Sequence, residues 1–90
     1  MYDSVRGPVV DVIDGDTFDI NVTHKGKNNK YTYNDTERIR IVGIDAPELN
    51  TVAGIHAKAN LKAKILGKEI RCKVHSRDTF QRLVGDVELV

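Results

Sequence analysis

The hydrophobic pattern of this chain changes period twice, and that change limits the fold more than any other feature. Phe18-Asp19-Ile20-Asn21-Val22 alternates apolar and polar residues, the period of two expected of a half-buried strand. From about Ala53 to Leu66 the spacing becomes helical, with Ile55, Ala59, Ala63 and Leu66 on one face and Lys58, Lys62 and Lys64 elsewhere. Ile70, Cys72 and Val74 then alternate with Arg71, Lys73 and His75, a return to period two. Ninety residues hold a single domain with one modest core, so residues 1–90 must fold these strands and this helix together.

The remaining segments complete the order. Pro8 to Ile13 is rich in β-branched residues and ends at Asp14-Gly15-Asp16, which predicts a strand, a turn and an antiparallel return through Phe18–Val22. His24 to Lys30, with Gly26 and the Asn28-Asn29 pair, reads as a polar connection. Tyr31-Thr32-Tyr33 and then Ile39–Val42 return as a third strand, with Pro47 as its stop. Gly67 closes the helix as a C′ residue, Ser76–Gln81 turns, and Leu83–Val90 forms the last strand. Three strands, a helix and two strands predict a five-stranded OB-fold, a β-barrel with one helix whose closure removes exposed sheet edges.

Composition bounds function more loosely. With 40% hydrophobic and 30% charged residues the chain is neither disordered nor membrane-spanning in pattern: no apolar run approaches the roughly 18 residues of a span. The first residues lack the layout of a signal peptide, so the expectation is a cytosolic protein or a secreted one whose signal was removed. A net charge of +1 argues against a broad basic coat, yet the charge is uneven. Residues 1–23 hold five Asp against one Arg, and residues 51–76 hold six Lys or Arg against one Glu. The single cysteine, Cys72, cannot form an internal disulfide and is expected to pack in the core. His24, His56 and His75 are scattered, which fits solvent-facing positions better than a zinc or catalytic set.

Two short clusters carry candidate chemistry. Asp14-Gly15-Asp16-Thr17 sets two carboxylates beside a glycine at the join of two strands, where hard oxygen donors suit calcium or magnesium. Taken alone, it is also an ordinary turn with solvated acids. In Ile44-Asp45-Ala46-Pro47-Glu48 the proline forces Ala46 into an extended conformation, which can present its carbonyl beside the Asp45 carboxylate. The same run also reads as a helix start with a capping box, with Asn50 and Thr51 as rival caps. Arg40, within an apolar strand, and Arg82, at the entry of the last strand, are suited to phosphate, although a lone arginine is more often a surface ion pair.

Taken in order, Asp14-Gly15-Asp16-Thr17, Arg40-x4-Asp45-Ala46-Pro47-Glu48, Gly54-x-x-Ala57, Gly67-Lys68 and Asp78-x3-Arg82 resemble the thermonuclease, or staphylococcal nuclease, family. The match runs from about Val9 to Val90 and agrees with the OB-fold reached from strand order. The resemblance implies that Asp16, Asp45 and the Ala46 carbonyl bind Ca2+ directly, with Asp14 in the outer shell. It makes Glu48 the general base and gives Arg40 and Arg82 the scissile phosphate. Phe80, where the family often has tyrosine, becomes a substrate contact, and Gln81 stands where the family has glycine. Members of the family usually continue into further helices, which this chain is expected to lack.

The implied activity is calcium-dependent endonucleolytic hydrolysis of DNA or RNA, single-stranded or frayed, by a monomer that uses no membrane. The alternative is a non-catalytic OB-fold module that binds nucleic acid or protein. Four carboxylates gathered near a phosphate repel it unless a cation intervenes, so they favour the enzyme over a simple nucleic-acid binder.

Overall fold

The first strand, β1 (Asp3–Asp14), shows how the barrel closes. Asp3, Val5, Gly7 and Val9 face inward, and then the alternation slips so that Val12 is the next residue buried. The slip falls at a register shift between Val9 and Asp11, a bulge that bends the strand. The bend lets one strand serve two neighbours. Residues Asp3–Pro8 pair with β5 (Glu69–Arg77), and Val9–Asp14 pair with β2 (Thr17–Asn21), both antiparallel.

β2 pairs antiparallel with β4 (Thr36–Ile41), which runs parallel to β6 (Leu83–Leu89), and β6 pairs antiparallel with β5. The circuit β1-β2-β4-β6-β5-β1 is a closed five-stranded barrel with one helix, the expected OB-fold, in this computed structural model, which describes residues 2–90. Val5, Val9, Val12, Phe18, Ile20, Ile39, Ile70, Cys72 and Leu83 fill it, each almost wholly removed from solvent. Cys72 is a free thiol pushed up to about 12 by burial, so packing accounts for it. No described helix is long and apolar enough to cross a membrane.

Three sequence expectations need correction. Tyr31-Thr32-Tyr33 is not strand. The Asp3 carboxylate accepts the N–H groups of Lys30 and Tyr31 and the Tyr33 hydroxyl, so a side chain takes the hydrogen bonds a ladder would have supplied. The preceding connection is not wholly irregular, because His24–Lys25 form a two-residue strand, β3, against Val5 and Arg6. Helix α1 (Val52–Ile65) has the expected extent but a different inner face. Gly54 and Ile65 are buried and Ala57, Lys58 and Leu61 half-buried, whereas Ile55 and Leu66 are exposed. Close docking selected the small residues Gly54 and Ala57, which a search for large apolar side chains passes over.

Candidate active site

The turn between β1 and β2 builds the centre of the site. The Asp16 N–H donates to Asp14 Oδ1 at 3.0 Å, a local bond that holds the two carboxylates in fixed relation. Asp16 itself is buried. Its Oδ1 accepts the Thr17 hydroxyl at 2.8 Å, and its Oδ2 accepts the Ala46 N–H at 3.1 Å. The reading of this turn as solvated acids therefore fails for Asp16, whose carboxylate links the turn to the loop after β4.

That loop is pressed onto the turn by α1. A Cβ on Gly15 would meet the Cβ atoms of Ala57 and Ala46 at 2.7 and 2.8 Å, and one on Gly54 would overlap the Glu48 carbonyl oxygen. Both glycines are therefore needed for close approach. Thr51, not a residue of the Asp45–Glu48 run, caps the helix: its hydroxyl accepts the Gly54 N–H at 3.0 Å and donates to the Glu48 carbonyl at 2.6 Å. The capping-box reading of that run is thus excluded, and the exposed Glu48 carboxylate forms no ion pair with any described residue.

Arg40 reaches this cluster from β4, where it pairs with Thr17 across the ladder. Its Nη2 lies 3.7 Å from Asp16 Oδ2 and 3.6 Å from Asp45 Oδ1, so one cationic nitrogen sits between two carboxylates from different segments. The Asp45 side chain is 98% exposed. Arg6, Arg38, Arg71, Arg77 and Arg82 each donate a hydrogen bond to a carboxylate, whereas Arg40 donates none to any described residue. A charged guanidinium with vacant donors suits an external anion.

Arg82 is not drawn into the acid cluster. It stands just before β6, its Nε donates to Asp78 Oδ2 at 2.7 Å, and its guanidinium lies 5.1 Å from the centre of the Phe80 ring. Its two terminal nitrogens have no acceptor among the described residues. Phe80 is 76% exposed. The parallel pairing of Ile39 with Leu83 and Arg40 with Val84 places Arg82 and Arg40 on adjacent strands of one barrel wall.

Electrostatics divides the two turn carboxylates. Burial raises Asp14 above the ordinary carboxylate range, and the neighbouring Asp16 adds to it. Burial also works against ionised Asp16, but hydrogen bonds from Asp14, the Ala46 N–H and Thr17, with the charge of Arg40, hold it below that range. No three His, Cys, Asp or Glu side chains converge on one point among the described residues. A cation at Asp16 and Asp45 would draw its other ligands from carbonyl, water or substrate oxygen. The Ala46 carbonyl accepts no hydrogen bond from a described residue. All these donors are hard oxygens, the type that a divalent cation such as calcium or magnesium takes.

Sequence reading missed a second polar cluster. Glu37 is buried and bound twice by Arg77, at 2.9 and 3.0 Å, and the Asn34 N–H adds a third bond. Its signal was parity: Glu37 and Ile39 are two apart in one strand, so a buried Ile39 implies a buried Glu37.

Comparison with known proteins identifies the family. The family profile described as staphylococcal nuclease homologue matches residues 38–90. An uncharacterized endonuclease of Escherichia coli O157:H7 is 32% identical over 83 residues, 92% of this chain and 48% of that protein. The probable endonuclease LCL3 of Arthroderma otae is 33% identical over 102 residues, covering 93% of this chain and 36% of its own length. The probable staphylococcal-like nuclease CAN2 of Oryza sativa subsp. japonica is 44% identical over 50 residues, 56% of this chain and 14% of that protein. This chain thus spans about half the length, or less, of the curated relatives it matches. The profile match covers more than half of the chain and takes in Arg40, Asp45, Glu48 and Arg82, and on that ground this protein belongs to the staphylococcal nuclease homologue family.

Proposed function

We propose that this chain is a calcium-dependent endonuclease that hydrolyses phosphodiester bonds in DNA or RNA, acting on single-stranded or frayed substrate. One observation carries the reading: Arg40 Nη2 stands within 3.7 Å of both Asp16 and Asp45 with no hydrogen-bonded acceptor of its own. Asp16, Asp45 and the Ala46 carbonyl would hold the metal, and Asp14 would fix the orientation of Asp16 through the Asp16 N–H. When bound, a calcium ion supplies positive charge against the negative charge that gathers on phosphate as it is attacked.

The chain's own groups divide the rest of the work. The vacant donors of Arg40 and the terminal nitrogens of Arg82 bind non-bridging phosphate oxygens, a preorganised electrostatic contribution. The exposed, unpaired Glu48 carboxylate accepts the proton of the water that forms the new P–O bond, while one ester P–O bond breaks and the departing oxygen takes up a proton.

The test is digestion of single-stranded DNA and of RNA with calcium, with EDTA, and with Glu48→Gln and Arg82→Ala proteins prepared identically. The expected result is cutting that EDTA abolishes, with losses of about 10²–10⁴ for Glu48→Gln and about 10²–10³ for Arg82→Ala. A folded, calcium-bound protein that cuts neither DNA nor RNA would instead be a non-catalytic OB-fold module.

A further inference from the structure

Beyond the acid cluster, the same wall of the barrel carries two hollows that meet. One, of about 570 Å³, runs from Phe80 and Arg38 to Arg77 and Thr32. The other, of about 580 Å³, shares Arg77 and Thr32 and extends to Tyr31, Lys30, His75 and Tyr2. Phe80 contacts Arg82, so a continuous surface leads from the phosphate-binding arginine to the far end of the second hollow.

Tyr31 and Tyr2 are 74% and 54% exposed, and Tyr2 stacks on the His75 ring with centroids 4.4 Å apart. Both tyrosines line the second hollow and neither belongs to the core. Cations accompany them: Lys30 lines the hollow with no ion-pair partner among the described residues, and Lys73 Nζ lies 5.9 Å from the centre of the Tyr2 ring. The acids are already occupied. Asp3 accepts three hydrogen bonds, Glu37 is held by Arg77 and Asp19 by Arg38.

We propose that Phe80, Tyr31, Lys30 and Tyr2 form a track for single-stranded nucleic acid that continues from Arg82 along the barrel wall. Bases stack on the exposed rings, and phosphates lie against Lys30, since Arg77 is held by Glu37 and the Gln81 carbonyl. Stacking on aromatic faces combined with a cationic groove is the general means of holding an unpaired strand without reading its sequence. The track rests on the nuclease reading for its starting point at Arg82, and it gives that site a reason to prefer unpaired strands, since paired bases cannot reach the rings.

The test is binding rather than cutting. A fluorescent oligothymidylate of about twelve nucleotides, within the span of one OB-fold, is titrated in EDTA by fluorescence anisotropy. The proteins are the full chain, Tyr31→Ala, Tyr31→Phe and Lys30→Ala, with folding checked by circular dichroism. Tyr31→Ala is expected to weaken binding roughly 5- to 150-fold, and Tyr31→Phe, which keeps the ring, to restore it. Lys30→Ala should flatten the slope of log affinity against log salt by about 0.7. Wild-type affinity for Tyr31→Ala, or no binding by the wild type, overturns the track. Ring-dependent binding without calcium-dependent cutting supports the track and removes the nuclease reading; cutting without ring-dependent binding does the reverse.

Discussion

Two residues show how a short motif acquires a role. Arg40 is the arginine whose donors stay vacant, and a substitution there isolates its electrostatic contribution. Arg40→Ala is expected to lose about 10²–10³ in the rate of calcium-dependent cutting while keeping the wild-type circular dichroism spectrum. Retained activity would place the phosphate elsewhere. Gln81 is the second case. Its φ of 66° lies in the left-handed region, where a side chain costs roughly 1–2 kcal/mol that glycine avoids. Part of that gain returns as the extra freedom glycine has in the unfolded chain, about 0.5–1 kcal/mol. Gln81→Gly should therefore stabilise the fold by up to about 1 kcal/mol in urea unfolding, and a loss of stability would mean that the Gln81 side chain contributes more than its backbone strain costs.

At the scale of elements, α1 positions the loop that carries Asp45, Ala46 and Glu48. The contact is backbone against backbone, so Gly54 is its narrowest point, and a methyl group there meets the Glu48 carbonyl. In an ordinary helix Gly→Ala adds stability of about 1 kcal/mol. Here the sign reverses: Gly54→Ala is expected to lower the urea midpoint and to reduce cutting, because the helix must move off the loop that holds the proposed base. A stabilised, fully active Gly54→Ala protein would refute this contact. The helix face itself was misread from sequence because its docking residues are small, while Ile55 and Leu66, the obvious apolar pair, face solvent. The segment 31–33 was misread for a related reason, since its backbone donors go to Asp3, a residue distant in sequence.

For the whole molecule, the carboxylates set the pH range of stability. Asp3 is held below the ordinary carboxylate range by the Lys30 N–H first and then by the Tyr33 hydroxyl. In Asp78 burial acts the other way, but the N–H and guanidinium of Arg82 and the Phe80 N–H outweigh it and lower its value too. A carboxylate whose folded value lies below its unfolded value of about 3.9 contributes stability that is complete above that pH. That stability is lost as pH falls through the lower folded value. For these two carboxylates the urea midpoint should therefore fall as pH drops below about 3.9, while the raised Asp14 acts in the opposite sense. For Asp3→Asn the step should be smaller; an unchanged step would show that the Asp3 network does not couple to folding.

Local sequence determined the strand order and the single helix, because alternation and helical spacing express which side of each segment meets the core. It also named Asp14, Asp16, Arg40, Asp45 and Ala46, since a turn with two acids and a proline-fixed loop are local features. Tertiary structure alone decided that one nitrogen of Arg40 lies between Asp16 and Asp45, and that Arg82 turns to Asp78 and Phe80 instead. It alone buried Glu37 against Arg77 and brought Tyr31 and Tyr2 to one hollow. The physical reason is range: periodicity records each residue's exposure, whereas a contact between segments depends on barrel closure and register, which no single segment encodes.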